Sequence, residues 1–439
     1  NKNGQRGSNK ISRKSFLTKT AASAIGLTII PRHILGGNGY TAASDLVNIA
    51  GIGLGNQGGA DLQNIATMDV PTKRSIPLNM IREPYAGIKK PPVTLKEGEV
   101  DTSSVIQMGD ANKGVFKHAN IFALCDVDPD YSAHVFKGYP KAKKYTDFRK
   151  LIDSEKSIDG VVIATPDHTH AVIAAYAMAA GKHVFVEKPM AKTIYETRKL
   201  AALAKKFKVI TQMGNQGHNV EGTFRTIEWI QSGKIGWVRE VNLWTDRPVW
   251  PQGYLKRPSE QKVPKNLDYD LWLGPAPEKP YHPDILHFNW RGLLDYGTGA
   301  MGDMGAHIFD APIRALNLGL PKKIQATSTP FSEDYLPKAE SVKYIFQESR
   351  ALPELIVTWN DGGIKPFRPE ALEANRQLKE ALYIGDKGFI MHGSHGKNPE
   401  LIPDEPGFYV EPWLERPKSV YVDFVEAIKE GRKAKNDFG

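Results

Sequence analysis

Apolar residues follow two rhythms along this chain, and the rhythm changes near residue 215. From Leu46 onward, short and nearly continuous apolar runs recur. They are Leu46–Ile52, Ala119–Cys125, Ile158–Ala164, Val184–Val186 and the β-forming stretch Lys208–Met213. Such runs read as parallel strands buried on both faces. Helix-like stretches separate them: Ala60–Ala66, Pro129–Gly138, Phe148–Asp153, Ala171–Ala180 and Ile194–Phe207, with one short strand near Lys144-Tyr145. Strands alternating with helices predict an α/β unit built on a doubly wound parallel sheet.

Beyond Asn215 the strands alternate apolar with polar instead. They are Val238–Asp246, Lys323–Thr329, Ser341–Gln347, Glu354–Trp359, Ala381–Gly385 and Gly388–Met391. Helices are predicted over Glu221–Ser232 and from the Gly297–Asp310 segment to Leu318, with aromatic, proline-rich loops between. This pattern predicts an α+β domain whose open, largely antiparallel sheet has one face packed on helices. The division is therefore an arm at 1–44, a first domain at 45–214 and a second at 215–439.

Two stretches keep neither rhythm. Asp69–Lys117 is rich in Pro, Lys and Gly and reads as an inserted loop, of the kind that serves as a lid or an oligomer contact. In the arm, Ser12-Arg13-Lys14-Ser15-Phe16-Leu17-Thr18-Lys19 resembles the twin-arginine export signal S-R-R-x-F-L-K, with Lys14 in place of the second Arg. A mildly apolar stretch, Ala21–Ile30, follows and is shorter than the ~18 residues a membrane span needs. The expectation is export to the periplasm, and without the signal a cytoplasmic protein.

Composition adds constraints. The 439 residues are 41% hydrophobic and 24% charged, in keeping with two globular domains. The net charge of +9 is spread along the chain without an Arg-rich or aromatic-basic module, so nucleic acid is not an expected partner. Cys125 is the sole cysteine, which excludes an intrachain disulfide and a cysteine-based metal site. No metal is expected.

The chemistry begins where the first strand ends. Gly53-Leu-Gly55-Asn56-Gln57-Gly58 sits between a strand and a helix in the G-x-G-x-x-G register. That context suits a dinucleotide: a tight turn at Gly53, close approach to a pyrophosphate at Gly55, and close helix–strand packing at Gly58. The free N–H groups of the helix N-terminus then face the phosphates. Asp126 ends the second strand, where an acid accepts hydrogen bonds from the adenosine ribose. The usual spacing of about 20 residues is stretched by the insertion. No Arg follows Asp126 to receive a 2′-phosphate, so NAD is preferred over NADP. Thr165, Glu187-Lys188 and Gln212 fall at further strand ends, where ligands of such sheets sit.

Lys188, ahead of Pro189, can hydrogen-bond a substrate oxygen and hold developing negative charge. Asp303 and His307 are four apart on a predicted helix and share a face. An acid there can orient an imidazole, and the imidazole can take a proton from an alcohol. Trp250, Tyr254 and Trp290 are candidate sugar-stacking faces. Arg247 and Arg291, with Lys188, make the substrate side basic and suit an acidic sugar.

Together these features resemble the glucose–fructose oxidoreductase / inositol dehydrogenase / MocA family. The marks are the glycine register, Asp126, Thr165-Pro166 with His170, Glu187-Lys188-Pro189 and Asp303-x-x-x-His307. The resemblance implies an N-terminal Rossmann domain holding NAD(P) and a C-terminal open-sheet domain that shapes the substrate site and joins copies of the chain. It implies hydride transfer between the nicotinamide and a hydroxyl-bearing carbon of a carbohydrate or polyol, with Lys188 and His307 as the catalytic pair and Asp303 assisting. The expected cofactor contacts are Gly53, Gly55, Asn56, Gln57, Gly58, Asp126, Thr165, Pro166, His170, Glu187, Lys188 and Gln212. Two other functions compete: glycoside cleavage through transient oxidation and elimination, and a non-catalytic nucleotide-bound sensor or scaffold. Lys188, Asp303 and His307 argue against the last.

Overall fold

The apolar runs of the first half become strands of one sheet in the computed structural model, which describes residues 46–66, 119–347, 353–403, 410–416 and 418–439. The export-like arm and the 69–117 insertion lie outside the described residues. The strands are β1 (Val47–Ile52), β2 (Ala119–Cys125), β3 (Lys143–Tyr145), β4 (Gly160–Ile163), β5 (His183–Glu187) and β6 (Thr211–Gly214). All pair in parallel, in the order β3-β2-β1-β4-β5-β6. After β1 the chain builds outward through β2 and β3, then crosses to β4 on the other side. The crevice at that reversal, outside the carboxyl ends of β1 and β4, is where such sheets take ligands. The glycine turn sits there.

Both faces of this sheet are covered. On one, Val161, Ile163, Ala174, Met178 and Leu151 form a buried cluster. On the other, Leu62, Ile65, Leu124 and Phe185 pack with Val420, Tyr421, Phe424 and Val425. The helix Val420–Glu430, counted with the second domain in the sequence, therefore belongs to the core of the first. The physical reason is that a parallel sheet buries both faces and this face needs a cover. The chain end continues along the outer strand: Met213 donates to the Asn436 carbonyl (2.9 Å) and the Phe438 N–H donates to Thr211 Oγ1 (3.1 Å), screening the β6 edge.

The second sheet has seven strands: β7 (Val238–Trp244), β8 (Lys323–Ser328), β9 (Glu340–Phe346), β10 (Leu355–Asn360), β11 (Ala381–Gly385), β12 (Phe389–Gly393) and β13 (Lys397–Ile402). Their order is β13-β12-β11-β7-β10-β9-β8, antiparallel except for the β7/β10 pair. β13 is absent from the sequence-based expectation because Pro399 interrupts it, and proline is tolerated there only because β13 is an edge strand. Helix Glu221–Gln231 and the 301–315 segment bury Ile227, Ile230, Met304 and Ile308 against Val241, Leu243, Val357 and Trp359.

Two departures position the site. The single helix expected up to Leu318 is instead a π-helical turn, Met301–Gly305, followed by short α segments at Ala306–Ile308 and Asp310–Ala315. The aromatic loops between β7 and that turn are not loose. Trp272, Tyr281, Trp290 and Tyr296 form their own core, which leans on the first domain. The Asp268 N–H donates to the Val127 carbonyl (2.9 Å), and the His168 N–H donates to the Tyr296 carbonyl (3.2 Å).

Candidate active site

A cavity of about 420 Å³ opens at the switch point between β1 and β4 and runs to the π-helical turn. Its first end is made by the glycine turn. Gly53 has φ +79°, and a Cβ there would meet the Thr165 backbone N at 2.7 Å. Its N–H donates to the Cys125 carbonyl, which ties the turn to β2. A Cβ on Gly58 would lie 1.9 Å from the Gly53 carbonyl oxygen, so the helix Asn56–Ala66 can approach β1 only because that Cβ is missing. Gly55, Asn56 and Gln57 face the cavity at the helix N-terminus.

Asp126 also faces the cavity. Its Oδ2 accepts from the Leu54 N–H (2.6 Å) and its Oδ1 from the Asp128 N–H (2.9 Å). Each oxygen keeps a further lone pair for a ligand hydroxyl. Burial pushes the carboxyl up to about 6, against those two hydrogen bonds. Nearby, Tyr131 and His287 stack with ring centroids 3.8 Å apart, and His287 Nε2 is 3.1 Å from Asp128 Oδ2. His287 comes from the second domain's aromatic loops, so both domains wall this end.

At the other end side chains from several remote segments meet. Two of the three Lys188 ammonium donors go to Asp303, to Oδ1 (2.8 Å) and to the backbone carbonyl (3.0 Å), leaving one for a ligand oxygen. Arg247 approaches the same carboxylate at 3.6 Å and Arg291 at 3.8 Å. Burial pushes the Asp303 carboxyl up, but Lys188, Arg291 and Arg247 more than reverse this and hold it at about 2.

Asp303 does not orient His307. The π-helical turn between them carries Asp303 to Lys188 instead of stacking it against the imidazole as a regular helix would. The orienting group is Asn215, just past β6, which the sequence reading left out. Asn215 Nδ2 donates to the Ala306 carbonyl (2.9 Å), so its amide oxygen turns to His307 Nδ1 at 2.7 Å. That oxygen only accepts, so Nδ1 carries the proton and Nε2 keeps its lone pair. Burial pushes His307 well down, and Lys188, His395 and Arg247 add to the shift, so the imidazole is neutral. His395, at φ +63° in the turn between β12 and β13, packs its ring 3.8 Å from that of His307 and was likewise missed. Asn215 was open to discovery by the strand-end rule that selected Gln212. His395 had only flanking glycines to mark it.

Several sequence candidates lie elsewhere. Gln212 is within β6 and fully buried, its Nε2 donating to the Met213 carbonyl. His170 lies beneath the cavity, its two ring nitrogens 2.8 Å from the Pro189 and Thr165 carbonyls, and so braces the Thr165 and Lys188 loops from below. Glu187 is buried behind Lys188, where its Oε1 accepts from Gln216 (2.9 Å); burial, then Asp61, pushes it well up. Trp250 is buried under the Arg247 guanidinium, and Tyr254 is 81% exposed away from the cavity. Trp290 lines the cavity with Arg291 laid over its ring at 4.3 Å. Thr165 and Pro166 line it as expected. Among the described residues no group of three or more His, Cys, Asp or Glu could hold a metal, and no helix is long and apolar enough to cross a membrane.

Two models of one family match the chain and together span more than half of it. They are described as "Oxidoreductase family, NAD-binding Rossmann fold", over residues 107–215, and "Oxidoreductase family, C-terminal alpha/beta domain", over residues 223–351. The glycine turn lies upstream of both matches and is joined to them by the pairing of β1 with β2 and β4. Among curated proteins, an uncharacterised oxidoreductase of Schizosaccharomyces pombe is 26% identical over 58% of this chain and 64% of its own length. Levoglucosan dehydrogenase of Pseudarthrobacter phenanthrenivorans is 24% identical over 43% of this chain and 40% of its own. The matches thus span less than two thirds of these relatives. Among solved structures, GenD2 from gentamicin A biosynthesis in complex with NAD superposes with a TM-score of 0.54 at 17% identity, covering 93% of this chain and 92% of that one, a likeness of fold.

Proposed function

The chain belongs to the glucose–fructose oxidoreductase / inositol dehydrogenase / MocA oxidoreductase family, and from that premise we propose that it is an NAD-dependent dehydrogenase acting on a hydroxyl-bearing carbon of a carbohydrate or polyol. The observation that carries this reading is the meeting, in one cavity, of an ammonium with a spare donor and a neutral imidazole with its lone pair set free. The family's first-domain model is NAD-binding, and the levoglucosan dehydrogenase relative supports a sugar as substrate.

The residues present fit the dinucleotide. The bare turn at Gly53 and Gly55 and the N–H groups opening helix Asn56–Ala66 suit the pyrophosphate, and Asp126 suits the ribose diol. When bound, NAD supplies the hydride acceptor. His307 Nε2 would take the substrate hydroxyl proton, and Lys188 would donate to that oxygen and hold the negative charge developing on it. Asp303 keeps Lys188 aimed. Initial rates of NAD reduction across a panel of sugars and polyols test the reading; no reduction by any member would reject it. Release of sugar from glycosides without net NADH would favour the oxidation–elimination route.

Asn215 should matter through His307. Asn215→Leu removes the acceptor that fixes the tautomer and is expected to lower kcat more than it raises KM. Asn215→Asp keeps an acceptor but adds a negative charge, which raises the imidazole pKa. The acidic limb of the pH–rate profile should therefore move to higher pH in Asn215→Asp. An unmoved limb would remove Asn215 from this role.

Asp126 makes a second pH signature. Its raised pKa means that the carboxylate which accepts the ribose hydroxyls is lost on acidification through about 6. NADH affinity should rise with pH through that window and level off above it, and Asp126→Asn should flatten the dependence. NADPH should bind more weakly than NADH, because Asp126 and Asp128 both stand at this end. Tighter NADPH binding would reverse the cofactor assignment. We further propose export through the arm at 1–44, tested by fractionating the native host, and a homo-oligomer through the second sheet, tested by sedimentation. The exposed edge strand β8, with Ile324 at its surface, supports the latter.

A further inference from the structure

We propose that the preferred substrate is a sugar acid, and that Arg247 is the residue that holds its carboxylate. The inference rests on the hydride-transfer reading and narrows it to a substrate class.

The starting point is an imbalance of charge at the reacting end of the cavity. Lys188, Arg247 and Arg291 gather around one carboxylate, Asp303. The three cations are not equivalent. Lys188 is hydrogen-bonded to Asp303 twice. Arg291 lies 3.8 Å from Asp303 and packs its guanidinium over the Phe288 and Trp290 rings, 4.8 and 4.3 Å from their centroids. One of its N–H groups donates to the Phe288 carbonyl. Arg247 approaches the same Asp303 carboxylate at 3.6 Å, and its charge also bears on His307.

Arg247 is also open. Its guanidinium makes no hydrogen bond among the described residues, and its nearest carboxylate oxygen is 3.6 Å away. It lies over the buried Trp250 ring, 5.6 Å from the centroid, a contact that uses none of its donors. The backbone beneath is pinned by the Gly362 N–H donating to the Arg247 carbonyl (2.6 Å). A planar set of free N–H donors lining the same cavity as His307 matches a carboxylate bidentately. A neutral sugar leaves those donors unused, with Asp303 at 3.6 Å as the nearest counter-charge. A carboxylate would also offset the positive field that, with burial, depresses His307, and so make Nε2 a stronger base.

The test compares each acid with its neutral counterpart: D-glucuronate with D-glucose, and D-galacturonate with D-galactose. Binding to the NAD-loaded protein is measured by calorimetry, and NAD reduction is followed in parallel. At least one acid should bind about tenfold or more tighter than its neutral sugar, as expected for charge-assisted hydrogen bonds. Arg247→Met should abolish the preference, and Arg247→Lys should keep part of it, retaining charge without the fork. Melting temperatures near the wild type certify both variants as folded. Equal binding of acid and neutral sugar, no binding of either acid, or a preference that survives in Arg247→Met would overturn the proposal. If neutral sugars alone reduce NAD, the acid assignment fails while the dehydrogenase reading stands; if nothing reduces NAD, that reading itself fails.

Discussion

Replacing His307 by alanine is expected to lower turnover by about 10²–10⁴-fold, the usual contribution of a general base, while NADH affinity stays close to that of the wild type. The two effects separate because the groups come from different parts of the chain. The nucleotide end is built by the glycine turn and Asp126 in the first domain, whereas His307 stands on the segment after the π-helical turn and is held by Asn215. Lys188→Met should give a loss of similar kind, since it removes the donor that meets the substrate oxygen. The double variant should lose little more than the worse single one, because the two act on the same proton and the same oxygen in one step. The alanine variant also leaves Asn215 Oδ1 without its donor in a buried place, which costs about 1–3 kcal/mol of stability. Turnover and melting temperature must therefore be read together. Near-native turnover of a folded His307→Ala protein would remove the imidazole from the reaction.

Gly58→Ala is expected to damage the nucleotide site from the inside. The added carbon would lie 1.9 Å from the Gly53 carbonyl oxygen, with the Ala164 side chain behind it at 3.2 Å. Neither obstacle is the end of a flexible side chain, so helix Asn56–Ala66 must move away from β1. Overpacking of this kind costs about 1–3 kcal/mol, occasionally more. The movement also carries the helix N-terminus away from the phosphates. NADH affinity should fall about tenfold or more, corresponding to ~1.4 kcal/mol or more, together with the melting temperature. Gly319→Ala is the matching control, because a Cβ there meets nothing within 4 Å. A Gly58→Ala protein with unchanged NADH binding would contradict the packing role assigned to that glycine.

The same contrast runs through the rest of the site. Gly53, Gly55, Asp126, Thr165 and Lys188 were legible because each ends a buried strand, and a parallel sheet brings strand ends together whatever the side chains are. Gln212 was chosen by the same rule and failed it by a few residues: β6 runs on to Gly214, so the residue that reaches the site is Asn215. Trp250 and Tyr254 were chosen for their ring type. Ring type does not say which face a loop residue presents, and the loop buries one and exposes the other.

What the sequence determined by itself is local and periodic. Continuous apolar runs against alternating ones separated a parallel sheet from a largely antiparallel one, and glycines at fixed spacing marked a helix start that must lie close to a strand. These follow from the backbone and from the burial of apolar faces, and they need no knowledge of distant partners. The tertiary structure decided what depends on contacts between remote segments. It set the pairing of Lys188 with Asp303 across 115 residues and the clamp of Asn215 on His307 across 92. It placed His395 against His307 and moved the last helix into the first domain's core. The i,i+4 spacing of Asp303 and His307 predicted a pair that does not form, because a π-helical turn, held by packing and not encoded in the spacing, rotates one away from the other. Periodicity reports which face of an element is buried, and only the assembled fold reports what that face meets.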